Sequence, residues 1–437
     1  MQHSRPNVVI FITHDTGRFV SPYGHSTVQT PQCERLAAEG VRFANSFCTS
    51  PLCSPSRASI VTGRHTHQNG VMGLTGDATG AFDLYPSEKH AARLFADAGY
   101  ASLLCGFEHE TRDWRTAGFH AAIAGSGEWH NGGGDLLAYS SELDAWLESR
   151  DRNRPFYLQI GCHETHHSWT KDGTQPDSAK GVWVPPFLND CEDVRREMAE
   201  LQGAVKRLDT GLGMILDVFD RHGLADDTIF VFTTDHGIDV PRAKGTFYDP
   251  GIGVFHFMRY PAGNWGRGRV VNELMSNIDI LPTLLEACGI AVPAPIVGRS
   301  FLPLLAGGAY TPNDCIFAGK TFHDTYDPTR AVRTSRYKYI RYFEVNIFQD
   351  LRLATETRRS YFKDGWRRTS VEEIYDLEAD PWEATNLAGD PAHAEVLAAL
   401  RRRLRDWMRA TGDPLLRGPV ESPFYAAQRA AFLAPLR

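Results

Sequence analysis

Four short clusters of histidine and acidic residues each follow an apolar run: Thr13-His14-Asp15, Phe107-Glu108-His109, Cys162-His163-Glu164-Thr165-His166 and Thr234-Asp235-His236. Asp15, Asp235, His236 and His14 are oxygen and nitrogen donors suited to one divalent cation. Such a cation can neutralise an oxyanion and activate an oxygen nucleophile, and imidazole moves protons near neutrality. The chemistry implied is metal-assisted hydrolysis. One tripeptide alone also fits a turn or a helix cap, so the weight lies in the recurrence of the pattern.

The apolar runs are the elements that must position these residues. Residues 8–12, 101–105, 156–161 and 228–233 read as buried strands, and 32–40, 88–99, 140–148 and 194–222 have helical periodicity. This alternation predicts an α/β fold, a large, mainly parallel sheet sandwiched by helices. Chemistry in such sheets gathers outside the carboxyl ends of the strands, so four strands would deliver His or Asp to one rim. After about residue 310 the texture changes. Residues 336–342 alternate like an antiparallel strand, and 391–411 place Leu397, Leu400, Leu404, Trp407 and Met408 on one helical face. The expected organisation is a catalytic domain over 1–310 and a smaller C-terminal α+β subdomain over 311–437, with the tail beyond Gly412 wrapping the surface.

Composition narrows the function. The 437 residues carry 46 basic and 53 acidic side chains, a net charge of −7, and the run Arg401-Arg402-Arg403 lies within an amphipathic helical pattern. That is a solvated face, and nucleic acid is not an expected partner. The apolar run at 8–12 is too short to span a membrane, and no small-residue cleavage site follows it, so a cytoplasmic protein with no membrane partner is expected. Eight cysteines lie scattered without CxxC spacing, which speaks against a zinc ribbon or a disulfide framework; most should be small buried hydrophobes.

Cys53 stands apart. The segment Cys53-Ser54-Pro55-Ser56-Arg57-Ala58-Ser59-Ile60-Val61-Thr62-Gly63 matches C-x-P-S-R-x-x-x-x-T-G. This is the signature of formylglycine-dependent type I sulfatases in the alkaline phosphatase superfamily, and the resemblance runs along the chain. It includes Thr30-Pro31 through Val41-Arg42-Phe43, the Asp279-Ile280-Leu281-Pro282 segment, and Ile374-Tyr375-Asp376-Leu377 with Asn386-Leu387. His65-Thr66-His67-Gln68-Asn69-Gly70 and Ala331-Val332-Arg333 look nearest to the heparan N-sulfatase (sulfamidase) branch.

The resemblance implies an alkaline phosphatase-like fold and oxidation of Cys53 to formylglycine by a formylglycine-generating enzyme that reads the Pro55 and Arg57 positions. An aldehyde hydrate carries two hydroxyls: one attacks sulfur in line, and the other, once deprotonated, expels sulfate. Covalent catalysis thereby splits one hard hydrolysis into two easier steps. By the same resemblance Arg57 holds the nucleophile, His109 deprotonates the hydrate, His166 contacts the sulfate and leaving oxygen, and Lys244 binds sulfate and assists departure. The metal, calcium in the family, would be held by His14, Asp15, Asp235, His236 and the modified Cys53. His163 and His167 read as supporting or surface groups.

Three departures from the family pattern stand out. His14 replaces an aspartate, His236 replaces an asparagine as in phosphonate monoester hydrolases, and Phe107 occupies the place of a lysine. Two imidazoles shift the preference from calcium towards manganese, iron or zinc. His14 could instead swing away and leave Asp15 as the ligand from its strand. Losing the lysine removes a charge-assisted contact of a type worth roughly 1.5–3 kcal/mol, and the charge of Glu108 would repel an anion. The leading expectation is a hydrolase of a small sulfated sugar. Its substrate wall would include His67, His323 and Asp324, with Arg330, Arg333, Arg336 and Lys338 as further cations. The alternatives are a phosphonate monoester or phosphodiester hydrolase, and an inactive binder of anionic glycans. A homo-oligomer is open on this reading.

Overall fold

Val8-Val9-Ile10-Phe11-Ile12 is apolar on both faces, as a central strand covered on both sides must be. The computed structural model describes residues 5–76, 80–128, 134–323, 325–344 and 370–434. In it this run forms β1 (Asn7–Thr13), buried at every position. β1 pairs in parallel with β5 (Phe156–Gly161) on one side and β6 (Thr228–Thr234) on the other. β3 (Ala101–Glu108) continues in parallel beyond β5, followed by β4 (Ala121–Glu128). Beyond β6 come the antiparallel β7 (His256–Arg259), then β2 (Val41–Phe47) and β8 (Arg269–Ser276), giving the order β4-β3-β5-β1-β6-β7-β2-β8.

The two-residue period of β1 sends its side chains into two cores. Val9 and Phe11 join the core covered by α1 (Pro31–Glu39), α4 (Leu136–Ser149) and α5 (Glu192–Arg221). Val8, Ile10 and Ile12 face the core covered by α2 (Cys53–Thr62), α3 (Ala91–Asp97) and α6 (Ile280–Ala287). Helices therefore lie on both faces, as the alternation predicts.

The C-terminal part forms a separate antiparallel sheet, β12-β11-β10-β9, from β9 (Cys315–Phe322), β10 (Tyr326–Thr334), β11 (Tyr337–Tyr342) and β12 (Glu372–Asp376). One face packs Val332, Tyr339 and Ile374 against Leu400, Leu404, Trp407 and Met408 of α7 (Ala394–Ala410). The other face packs Ile316, Ala331 and Ile340 with Phe47, Phe247 and Tyr248 of the large unit. The tail lies on the surface and forms α8 (Pro423–Leu433), which buries none of its residues.

β3 runs three residues beyond the expected 101–105, and this changes the site. Gly106 sits at φ +85°, where a Cβ would come within 2.0 Å of the Gly161 carbonyl. The β3–β4 register shifts twice here, between Leu104 and Cys105 and again between Cys105 and Phe107, the step that contains Gly106. Such an irregularity re-aims the side chains that follow. All eight cysteines are free; Cys191 and Cys315 are partly exposed and the other six are buried. No described helix is long and apolar enough to cross a membrane.

Candidate active site

β3, β5, β1 and β6 are adjacent and parallel, so their carboxyl ends open on the same rim. His14 and Asp15 follow β1, Asp235 and His236 follow β6, and His109 and His166 follow β3 and β5. Cys53 is the first residue of α2, whose ten residues are all buried. A helix amino terminus carries positive potential and free N–H groups, which favours an anion in front of it. α2 is tied to the rim through Ser56, whose hydroxyl donates to the Asp235 carbonyl at 2.6 Å.

Donor atoms of His14, Asp15, Cys53 and Asp235 all lie within 4.8 Å of one another. His14 points into this cluster: its Nδ1 is 3.0 Å from Asp235 Oδ2 and 4.0 Å from Asp15 Oδ1. The alternative in which it swings away is therefore not what the structure adopts. Asp235 Oδ1 accepts the backbone N–H groups of Asp15 and His236 at 2.9 and 2.8 Å, and Oδ2 accepts none among the described residues. His236 places Nε2 at 3.3 Å from Cys53 Sγ and 3.2 Å from Asp15 Oδ1. Its Nδ1 lies 3.0 Å from the Gly237 carbonyl, a contact that puts the proton on Nδ1 and leaves Nε2 a lone pair. Two enclosed carboxylates with imidazole donors cost heavily in desolvation unless a cation offsets them, so the residues present fit a divalent metal.

Lys244 Nζ donates to Asp15 Oδ2 at 2.6 Å and to Asp239 Oδ2 at 3.4 Å. Burial alone would raise the Asp15 carboxyl, but Lys244 and His236 outweigh it and hold it below its usual range. Arg57 lies one turn into α2 and donates through Nε to Glu110 Oε1 at 2.8 Å. Burial would lower its guanidinium, but Glu110 more than compensates. The histidines are pushed the other way. Burial, then Arg57, brings His109 down to about 3 and holds His14 well below its ordinary value. Burial and Lys244 bring His166 down to about 4. His166 Nδ1 is 2.6 Å from the His167 carbonyl, which leaves Nε2 as the basic atom. These shifts keep all three rings neutral near pH 7.

The rim gathers the Cys53 thiol, carboxylates, imidazoles and two cations at the amino end of α2, and its donor cluster fits a metal. The model of the family described as sulfatase matches residues 6–290, well over half of the chain. The chain belongs to the sulfatase family. A second model, described as N-sulphoglucosamine sulphohydrolase, C-terminal, matches residues 242–354. This sulfatase is 27% identical to N-sulphoglucosamine sulphohydrolase of Homo sapiens, over 95% of this chain and 92% of the relative. Its fold is similar to that of a protein solved in complex with its substrate D-glucosamine-2-N,6-O-disulfate, at TM-score 0.74 and 20% identity, covering 95% of this chain and 99% of the other. Phosphonate monoester hydrolase of Agrobacterium radiobacter aligns at TM-score 0.71 and 19% identity, covering 93% and 96%. The fold is thus the alkaline phosphatase-like one, and the activity class is hydrolysis of sulfuric esters or sulfamates.

The outer residues of this sulfatase are placed less uniformly. His67 is 6% exposed, stacked with His65 and set against Trp407 of α7. Its neighbours belong to the junction with the C-terminal subdomain rather than to the anion cluster. His323 lies after β9 and partly faces solvent, and Asp324 lies outside the described residues. The expected further cations are committed elsewhere. Arg330 pairs with Asp413, Arg333 and Lys338 with Asp249, and Arg336 with Asp376. Their alternation along two strands looks like a basic surface in sequence, but three of the four are buried counter-charges.

Phe107 is fully buried, 5.4 Å from the His14 ring and 4.7 Å from that of His163. Glu108 does not confront the anion position as feared. Its carboxylate accepts from Glu110 N, Thr111 N and the Thr111 hydroxyl. The sequence reading missed Asp239, which pairs with Lys244, and Glu110, which pairs with Arg57. No signal in a single sequence marks Glu110, because its partner is distant in the chain.

Proposed function

We propose that this sulfatase removes a sulfuryl group from the nitrogen or a hydroxyl of a glucosamine-type sugar, through a nucleophile made at Cys53 and with one bound divalent cation. The observation that carries this reading is the position of Cys53 Sγ. It sits at the amino end of α2, 3.3 Å from His236 Nε2 and within the donor cluster of His14, Asp15 and Asp235. The human relative's name and the substrate held by the structural neighbour both concern sulfated glucosamine and support that sugar class.

On this reading Cys53 is matured by a formylglycine-generating enzyme, in the cytoplasm, and the aldehyde hydrate supplies the attacking hydroxyl. His14, Asp15, Asp235 and His236 hold the metal, whose charge would stabilise the sulfuryl oxygens; the imidazoles favour manganese, iron or zinc over calcium. Arg57 and Lys244 orient the anion. His166 Nε2, neutral and fixed by the His167 carbonyl, contacts the leaving atom, and His109 takes the proton whose loss releases sulfate.

A second reading, phosphonate monoester or phosphodiester hydrolysis, is favoured by Phe107 and by Asp235-His236. Rates on N-sulfated and 6-O-sulfated glucosamine, an aryl sulfate and a phenyl phosphonate monoester separate the two. A higher kcat/KM on a glucosamine sulfate supports the proposal; the reverse order supports the second reading. Binding of the sugars with no turnover by protein carrying the modified Cys53 would instead favour the inactive glycan binder.

A further inference from the structure

Arg57 and Glu110 form an ion pair with no solvent exposure on either side chain. Arg57 Nη1 donates to the Ile12 carbonyl at 3.2 Å, and Nη2, itself enclosed, has no hydrogen-bond partner among the described residues. The guanidinium carbon lies 5.7 Å from the centroid of Phe107, an aromatic ring where the resemblance implies a lysine. Glu110 does more than satisfy Arg57. Its Oε2 accepts the backbone N–H of His109 at 2.9 Å, and both its oxygens lie 3.2 Å from Gln159 Nε2 on β5.

One carboxylate therefore touches both the arginine of the anion cradle and the backbone of the adjacent histidine. Glu108, His90, His109 and Tyr157 are the other titratable groups near Glu110. Burial and Glu110 push the Glu108 carboxyl well up. Glu110 goes the other way: burial would raise it, but Arg57 outweighs that and brings it down to about 2. The positive charge of Arg57 is thus offset at contact distance by Glu110, that of Lys244 by Asp239, and that of a divalent cation would be offset by Asp15 and Asp235. A cradle with little surplus positive charge discriminates between anions by their charge number, because unscreened charges act strongly in an enclosed site.

We infer that Glu110 is a positioning residue that aims the unpaired Nη2 edge of Arg57 and lowers the net charge of the cradle, so that the site selects a singly charged sulfuryl group over a doubly charged phosphoryl group. This rests on the reading that the anion binds between Cys53 and Arg57. It also assigns a role in product release, since the sulfate ion leaves with one more negative charge than the ester that entered.

The test compares 4-nitrophenyl sulfate as substrate with 4-nitrophenyl phosphate as competitive ligand, in wild type, Glu110→Gln and Glu110→Asp. In Glu110→Gln the inhibition constant for the phosphate ester falls by at least about tenfold, while KM for the sulfate ester changes by less than about threefold. Inhibition by inorganic sulfate tightens in parallel. Glu110→Asp keeps the charge and therefore the wild-type ratio, even where kcat drops. A purely structural role would move both ligands together, and that result overturns the inference. Where Glu110→Gln fails to fold, wild type still decides: inhibition by the phosphate ester must weaken as pH rises through its second ionisation, and strengthening there overturns the proposal. The proposed function fails separately, if wild type carrying the modified Cys53 turns over neither a glucosamine sulfate nor the aryl sulfate. The charge inference is then read from calorimetric binding of inorganic phosphate, which must weaken between its singly and doubly charged forms.

Discussion

His14 Nδ1 lies 3.0 Å from Asp235 Oδ2, with both side chains sealed from solvent and without hydrogen-bond alignment at the carboxylate oxygen. Burial keeps the imidazole neutral, so no salt bridge forms to relieve the carboxylate. A cation shared with Asp15 would relieve both. Metal at about 100 times its Kd should therefore raise the unfolding free energy by about 2.7 kcal/mol, and chelation should remove that increment together with turnover. His14→Asp should move the preference towards calcium. Metal analysis of protein purified without added metal checks this, and calcium alone in the wild type would contradict the role given to the imidazoles.

His65 and His67 supply a pH dependence unrelated to catalysis. Burial, then the neighbouring ring, brings His65 down to about 3; burial brings His67 down to about 4. In the unfolded chain each takes up a proton below about pH 6.5. The unfolded state then binds more protons, so stability falls as pH drops from about 6.5 towards 4, by up to about 1.4 kcal/mol per pH unit for each ring. Urea midpoints measured across this range should show a shallower slope for His67→Gln. An unchanged slope would mean that His67 titrates normally.

Arg330 donates to both Asp413 oxygens, at 2.6 and 3.0 Å, joining β10 to the turn after α7. Asp413→Asn leaves a buried guanidinium without its counter-charge and should cost about 3–5 kcal/mol, whereas Arg330→Met with Asp413→Leu should cost much less. Denaturation by urea measures the difference. Loss of substrate affinity in Arg330→Met with stability unchanged would restore Arg330 to the substrate site.

His166→Ala should reduce kcat by about 10²–10⁴-fold with little change in folding, because the ring lies partly open at the end of β5. A substrate with a better leaving group should lose less. Equal losses on good and poor leaving groups would assign His166 to binding rather than to departure of the leaving atom.

The gathering of His14, Asp15, His109, His166, Asp235 and His236 at one rim was legible because buried parallel strands read as continuous apolar runs, and their polar ends are conspicuous. Arg57 was named by the resemblance of the Cys53–Gly63 segment to the sulfatase signature. β7 has four residues, and β4 is interrupted by Gly125 and Gly127, so neither carries enough periodicity to read. The Arg57–Glu110 pair spans 53 positions and is created by the sheet order rather than by local pattern. Arg333 and Lys338 resembled a ligand-facing patch for the converse reason: their partner Asp249 is remote in sequence.

The central claim is that Cys53 is the precursor of the nucleophile. The most direct measurement is the mass of the tryptic peptide spanning residues 43–57, taken from protein that is turning over a sulfate ester. The account predicts that sulfur and two hydrogens at Cys53 are exchanged for one oxygen, that Cys48 in the same peptide stays intact, and that Cys53→Ala is inactive. Full hydrolytic activity in protein whose Cys53 is wholly unmodified would contradict it.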